Sequence, residues 1–441
     1  MHSESEIKEI FDRIFNLSQA EGTEILYQGT NRSLTRYANN QIHQNVAEVS
    51  QDISIRTILG KKSGKISLNK TDQKSLQEAV QRAIAMAQSQ PDDPNFVPLP
   101  GPQQFKKLNV FSEATLKCTP EERADAVLKV IQPCQKKELV ASGAFETATT
   151  CSAYGNSNGS FGYHQGTQAD FSVSAARGDS TGWCDQTDKD VRAIQPELLA
   201  EKAIEKALKG VEPKSLEPGS YTVILEPYCM QSMYFMLAFS TLTAQAIQEK
   251  RSYLTDKMGT KVVGENITLL DDAFDPLVIG IPADAQGMPK KKVVFFDKGI
   301  AKEVVYDLVT AAKEGKESTG HGGPLPNSFG PFPRNGILLP GDATLEDMIG
   351  STQKGVYVSR FHYVNIVDPR QVMITGMTRD GTFWIEKGKI AYPVKNMRFT
   401  QSVIELLNNV EMLENKTKTF GSTRFPGMKV KNFNFTSAAT F

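Results

Sequence analysis

Histidine is scarce in this chain of 441 residues: His2, His43, His164, His321 and His362 are the full set. No two lie three to five residues apart, so no helix can present an H-x-x-x-H or H-E-x-x-H pair on one face. Cysteine is equally sparse. Cys118, Cys134, Cys151, Cys184 and Cys229 are odd in number and scattered, without a C-x-x-C pair, a pattern of reduced thiols, not a disulfide framework. Net charge is also missing, with 50 basic and 50 acidic residues, which removes any general pull toward nucleic acid or anionic membrane. No run is long and apolar enough to span a bilayer, and no apolar signal segment follows the acidic Met1–Glu6 start. The expectation is a cytoplasmic protein with no membrane and no nucleic-acid partner. There is no G-x-S-x-G elbow and no P-loop. Lys290-Lys291-Lys292 is too short for a nucleic-acid patch and reads as a solvated strand edge.

What is present is a globular balance, 39% hydrophobic and 23% charged, over a length that implies two or three domains. Ile7, Ile10, Phe11 and Ile14 mark an opening amphipathic helix. Strand-like runs around Asn39-Asn40 and Lys61–Gly64 form an antiparallel meander, and a helix follows from about Thr71. Pro91–Pro102 holds five prolines, an extended connector that is either a domain boundary or a strap over the surface. Thr119-Pro120-Glu121-Glu122 is a capping box opening a helix that should stop near Pro133. Strands over about 139–176 and a helix over 196–208 come next. After Pro218-Gly219 there is a strand, Tyr221–Leu225, an apolar helix expected over Met230–Glu249, and then mainly strands, including hairpins about Asp297-Lys298-Gly299 and Glu386-Lys387-Gly388. The fold class is α+β: an N-terminal meander with helices (1–115), a middle α+β region (116–215) and a larger, mainly β C-terminal domain (216–441).

Gly320-His321-Gly322-Gly323 is glycine-rich, but Pro324, Pro326, Pro331 and Pro333 follow it, so no helix opens there to cradle a phosphate. It reads as an ordered, close-packed loop, either a structural turn or a ligand contact. Cys151 and Cys184 are candidate thiols; convergence of Cys151, His164, His321 and Asp170 in one pocket would support a self-sufficient hydrolase.

Three segments carry a resemblance. Asn156–Thr167 (NSNGSFGYHQGT), Ser318–Gly323 (STGHGG) with Asn327 beyond it, and Phe383–Val394 (FWIEKGKIAYPV) together resemble the TldD/PmbA family, whose members were once called modulators of DNA gyrase, and the second segment resembles its PmbA (TldE) branch. The similarity runs from about Ser33 to Val430. It implies a metallopeptidase system in which a TldD-type subunit binds zinc through an H-E-x-x-x-H helix and a late cysteine, while a PmbA-type partner lacks them. Carried across from the strand ending at Pro227, the two histidines fall at Phe235 and Ser240, the glutamate at Met236, and the cysteine at about Phe420. None of these can replace its counterpart, so no metal ligand, cofactor or catalytic residue is assigned. Asn158, Gly159, His164, Ser318, Gly320, His321, Gly322 and Asn327 are the candidate contacts for substrate or partner. The implied partner is a zinc-bearing TldD-type homologue, or a second copy, and the implied substrate is peptide or unfolded segments; a homodimeric binding or scaffold protein without catalysis is the further alternative. The apolar residues Met233, Phe235, Met236, Leu237 and Phe239 should bury against the core or another subunit, at roughly 1.5–3 kcal/mol each when fully buried.

Overall fold

A computed structural model describes residues 2–438. The N-terminal half comprises α1 (Glu4–Leu17), β1 (Gly22–Ala38), β2 (Gln41–Leu59), β3 (Lys62–Leu68), α2 (Gln73–Ser89), α3 (Glu113–Leu116), α4 (Pro120–Lys136), β4 (Val140–Asn156), β5 (Phe161–Arg177), β6 (Ser180–Asp188) and α5 (Pro196–Lys209). Its strands form one antiparallel six-stranded sheet in the order β3-β2-β1-β4-β5-β6. The regions on either side of residue 115 therefore share a single sheet, joined by the β1–β4 ladder. Alternation sets its two faces. Ile25, Tyr27, Ile53 and Ile55 bury beneath α1 and α2, and Tyr37, Phe145, Phe171 and Val173 bury beneath α4 and α5. The opposite face carries Arg32, Glu146, His164, Gln168, Asp170 and Asp185, and it faces the second half of the molecule.

The proline-rich connector is a strap. Its backbone is held on the sheet by Asn156 Nδ2 to Pro100 O (2.8 Å) and Asn158 Nδ2 to Leu99 O (3.0 Å). Both strands it links belong to the same sheet, so it bounds no separate layer. The capping box at Thr119 and Glu122 forms as expected. The helix does not stop at Pro133, however; it continues to Lys136, giving up the one intrahelical bond that the missing N–H would have made.

The C-terminal half comprises β7 (Gly219–Leu225), α6 (Pro227–Ser240), α7 (Ala244–Gln248), β8 (Leu269–Asp271), β9 (Val293–Asp297), β10 (Ile300–Ala301), α8 (Leu308–Glu314), β11 (Gly336–Leu338), α9 (Leu345–Gly350), β12 (Lys354–Asp368), β13 (Met373–Glu386), β14 (Lys389–Pro393), β15 (Met397–Ser402), α10 (Val403–Asn408), β16 (Val410–Thr419) and β17 (Arg424–Ala438). These strands form one mixed eleven-stranded sheet, with β7 and β12 parallel. The fold is α+β. The single helix expected over Met230–Glu249 is two helices. The chain leaves the helix at Thr241 and is extended at Thr243, where Val305 takes up the backbone: its N–H donates to Leu242 O (3.1 Å) and its carbonyl accepts from Ala244 N (2.9 Å). Thr243 then caps α7. Among the described residues no helix is long and apolar enough to cross a membrane.

Candidate functional site

Helix α6 is apolar all round, which is the pattern of a helix sunk into a core. Cys229, Met230, Met233, Leu237 and Ala238 are fully buried beneath the large sheet. Phe235 and Phe239, one helical turn apart, are not: they are 56% and 49% exposed. The expected burial of this segment thus divides, with Met233 and Leu237 in the core, Met236 half-buried, and the two phenylalanines on the surface. The Phe235 ring packs on Phe332 at 5.7 Å between centroids.

The four positions aligned with a zinc site do not fit the metal. Phe235 and Phe420 offer only rings, and Met236 only a thioether. The Ser240 hydroxyl donates to Met236 O at 2.7 Å, inside its own helix. Phe420 packs edge-on against Tyr228 at 5.4 Å, at the opening of α6, two turns from Phe235. Zinc requires thiolate, imidazole or carboxylate donors, and none of these four supplies one. Among the described residues no group of three His, Cys, Asp or Glu side chains is placed to hold a metal ion.

Tyr228 marks the corner where the two halves meet. Its hydroxyl accepts from Asp185 N (3.1 Å), and its ring packs on Trp183 at 4.8 Å. Lys418 bridges the halves by pairing with Asp185 Oδ1 (2.8 Å). Thr181 Oγ1 donates to Asp380 (2.6 Å), which also pairs with Arg360, and the Arg360 guanidinium lies over the Trp183 ring at 4.2 Å.

The glycine-rich loop builds a buried polar lock. Asp271, at the end of β8, and His321 have fully buried side chains, with His321 Nε2 donating to Asp271 Oδ1 at 3.0 Å. The second Asp271 oxygen accepts from Asn335 N (2.7 Å), and His321 Nδ1 lies 2.9 Å from Thr319 Oγ1. Burial, reinforced by the charge of Lys290, lowers the His321 pKa and keeps the ring neutral. Asp271 is held below the usual carboxylate range: His321 and the nearby Lys290 ammonium outweigh the opposing effect of burial. Asp284 accepts from Gly322 N (2.7 Å), Gln286 N and Met288 N (2.9 Å each), while burial pushes its carboxyl up to about 6. Ser318 Oγ accepts from Gly320 N (3.1 Å). Gly320 has φ +74°, and a Cβ there would stand 2.2 Å from Pro289 O. Asn327 Nδ2 donates to Gly330 O (2.8 Å) and closes the loop's far end.

Lys290 corrects a sequence expectation. Only Lys291 and Lys292 of the run are solvated, pairing with Glu317 and Asp272. Lys290 is 8% exposed, turned inward where Asp271 and Asp284 attract its charge while burial lowers its pKa. Lys290 turns inward before β9 begins while Lys291 and Lys292 stay exposed, and only the fold shows the carboxylates that wait there.

The candidate residues fall into two groups joined by the loop over 272–290. Asn158 and Gly159 form the β4–β5 turn that ties down the strap. His164 lies on the polar face of β5, where burial lowers its pKa and the nearby Gly280 backbone opposes that shift. Ser318, Gly320, His321, Gly322 and Asn327 belong to the lock. Gly287, at the far end of the joining loop, packs so closely on Tyr154 of β4 that a Cβ would lie 2.1 Å from its ring. The residues of the hydrolase alternative do not converge. Cys151 neighbours Tyr163 and the His2 carbonyl, Cys184 neighbours Tyr228, and Asp170 is engaged by Thr187 (2.6 Å) and Gln168 (2.7 Å). The His321–Asp271 pair has the composition of a catalytic dyad, yet its burial and its two occupied ring nitrogens leave it no face toward a substrate. Sequence reasoning missed Asp271, Asp284, Gln286 and Asn335, which carry no local signature distinguishing them from surface residues.

Comparison with known proteins agrees with this architecture. Family models for the PmbA/TldA metallopeptidase match as domain 1 over residues 23–87, as central domain over 69–211 and as C-terminal domain over 218–437. An uncharacterized protein, MJ0231, from Methanocaldococcus jannaschii is 23% identical over 416 residues, covering 91% of this chain and 95% of its own. A metalloprotease TldD homolog from Haemophilus influenzae is 27% identical over 236 residues, 52% of this chain and 48% of its own, so that match spans about half of each protein. The crystal structure of TldE from Thermococcus kodakarensis superposes with a TM-score of 0.88 at 21% identity, over 97% of this chain and 99% of that one, and so shares the fold. The chain belongs to the PmbA/TldD metallopeptidase family.

Proposed function

We propose that this chain is the PmbA/TldE-type subunit of a cytoplasmic TldD/TldE-like peptidase, contributing walls and contacts while a zinc-bearing homologue performs hydrolysis on peptides or unfolded segments. The observation that carries this reading is the substitution of all four zinc-motif positions, by Phe235, Met236, Ser240 and Phe420, in a chain that matches the family along nearly its whole length. The surroundings support it. Phe235 stacks on a neighbouring loop, Ser240 is tied to its own helix, and the buried His321–Asp271 pair serves the loop and not a substrate.

The test is reconstitution. A homologue carrying H-E-x-x-x-H is assayed on unstructured peptides with and without this chain. Hydrolysis that rises on addition of the chain supports the reading. A homologue equally active alone, showing no association with this chain, contradicts it.

A further inference from the structure

The N-terminal half is built twice on one plan. α1-β1-β2-β3-α2 and α4-β4-β5-β6-α5 occur in that order along the chain, and the strand order β3-β2-β1-β4-β5-β6 reads alike in both directions from the β1–β4 ladder. Details repeat as well. Ser3 with Glu6, and Thr119 with Glu122, form two capping boxes. Gly64 of β3 and Gly182 of β6 are each pressed on a helix, where a Cβ would stand 2.1 Å from Ala83 O and from Ala203 O respectively. The capping boxes set the register between the two units: His2 answers to Cys118, and Ile7 to Arg123. These positions, just before the cap and at the fourth helical residue, commonly meet in an apolar contact.

The first unit has Ile7 at that helical position, fully buried. The second has an arginine. Arg123 is 1% exposed, yet every acceptor it reaches is neutral. Nε donates to Thr35 Oγ1 (3.3 Å), and Nη1 donates to Cys118 O (3.0 Å) and Thr147 Oγ1 (3.5 Å). Nη2 reaches only Asn45 Oδ1, at 3.5 Å, outside the ordinary range of about 2.7–3.2 Å. A buried cation without an anion is costly, and the isoleucine of the sister unit shows that this fold does not demand one here.

Beside this cation stands Cys118, the only one of the five cysteines that is not buried. Burial raises its thiol pKa; Arg123 opposes the rise, and Glu122, which accepts from Thr119 N (2.8 Å) in the capping box, adds to it. We propose that Cys118 is a site of oxidation by hydroperoxides, and that the sulfur oxyanion formed there supplies the counter-charge that Arg123 lacks. The thiol sulfur attacks the peroxide. An S–O bond forms, the O–O bond breaks, the sulfur loses two electrons, and the peroxide leaves as water or an alcohol. The sulfenic acid gives its proton to solvent beside the guanidinium, and a second equivalent of peroxide carries the sulfur to sulfinate. The anion arises at the residue whose carbonyl already receives Nη1. Since the same guanidinium holds Thr35 and Thr147, oxidation fastens the start of α4 to β1 and β4. No zinc, hydrolysis or partner enters, so this inference and the subunit reading fail separately.

The experiment treats the full chain with hydrogen peroxide and maps the products by peptide mass, with dimedone trapping the sulfenic acid. Cys118 should gain oxygen at least about tenfold faster than Cys134, Cys151, Cys184 or Cys229. Access alone would give that result, so the charge is tested separately. The chain converted to sulfinate at Cys118 should show a urea midpoint raised by about 0.5 M. Cys118→Asp, which sets a carboxylate at the same place, should raise it likewise, and Cys118→Asn should not. In an Arg123→Ile background, which copies the sister unit, both gains should vanish or become losses. If Arg123→Ile does not fold, the contrast between Cys118→Asp and Cys118→Asn still decides. A midpoint that is unchanged or lower after oxidation or in Cys118→Asp overturns the proposal, as does a gain that survives Arg123→Ile. Oxidation of Cys118 no faster than that of the buried thiols overturns it too.

Discussion

Replacing Asp271 with alanine should be among the most damaging single changes in the C-terminal half. The carboxylate accepts from His321 Nε2 at 3.0 Å and from Asn335 N at 2.7 Å, and it is one of the two anions that attract the inward-facing Lys290. Alanine strands two buried donors, at about 1–3 kcal/mol each, and removes a counter-charge from a buried ammonium. Loss of one partner of a buried ionic pair generally costs about 3–5 kcal/mol, and the sum of the stranded donors falls in the same range. Against a typical total stability of about 5–15 kcal/mol, that is about a fifth or more. Urea unfolding followed by tryptophan fluorescence, with Trp384 of β13 as reporter, should show the midpoint falling by about 1–3 M at an unchanged slope. Asp271→Asn keeps one acceptor oxygen and should lose distinctly less. A loss below about 1 kcal/mol for the alanine variant would refute the claim that the glycine-rich loop is held by this pair.

Other outcomes follow from the same contacts. Burial lowers both His164 and His321; the unfolded chain therefore takes up protons first, and the stability these rings contribute is present above about pH 6.5 and lost as pH falls through their folded values, by up to about 1.4 kcal/mol per unit for each ring. Asp284, pushed up to about 6, acts with the opposite sign: its contribution is present in acid and lost as pH rises through about 6, so Asp284→Asn should steepen the acid loss in a urea series between pH 7 and 5. Gly320→Ala should cost about 1–3 kcal/mol, read as a lowered urea midpoint, because the new Cβ meets Pro289 O at a positive φ. Asn158→Ala, at an exposed position, should loosen the strap, seen as faster limited proteolysis between residues 91 and 112 with little change in the urea midpoint.

Local patterning carried much of the fold. The capping box at Thr119 works because its two partners lie three residues apart, and the alternation in β1, β4 and β5 is visible because one face of each is buried beneath helices. What local pattern cannot reach is long-range pairing. Nothing near Pro91–Pro102 distinguishes a boundary from a strap; Asn156 and Asn158, some 56 residues on, decide it. Nothing near Leu242 announces that Val305 will receive its carbonyl and end the helix. The site shows the same division. His321 stood out because histidine is rare, whereas Asp271, Asp284 and the inward turn of Lys290 became visible only once strands distant in sequence were side by side. In the structure the Asn156–Thr167 segment holds the strap, and the Ser318–Asn327 segment folds about the buried His321–Asp271 pair.

The proposal that Phe235, Met236, Ser240 and Phe420 leave this chain without zinc chemistry is tested most directly by metal analysis of the purified chain alone, refolded or expressed with excess zinc, together with a peptidase assay on unstructured peptide. The account predicts zinc far below one equivalent and no hydrolysis by the lone chain. One equivalent of zinc accompanied by peptide hydrolysis, both abolished by a chelator, would contradict it.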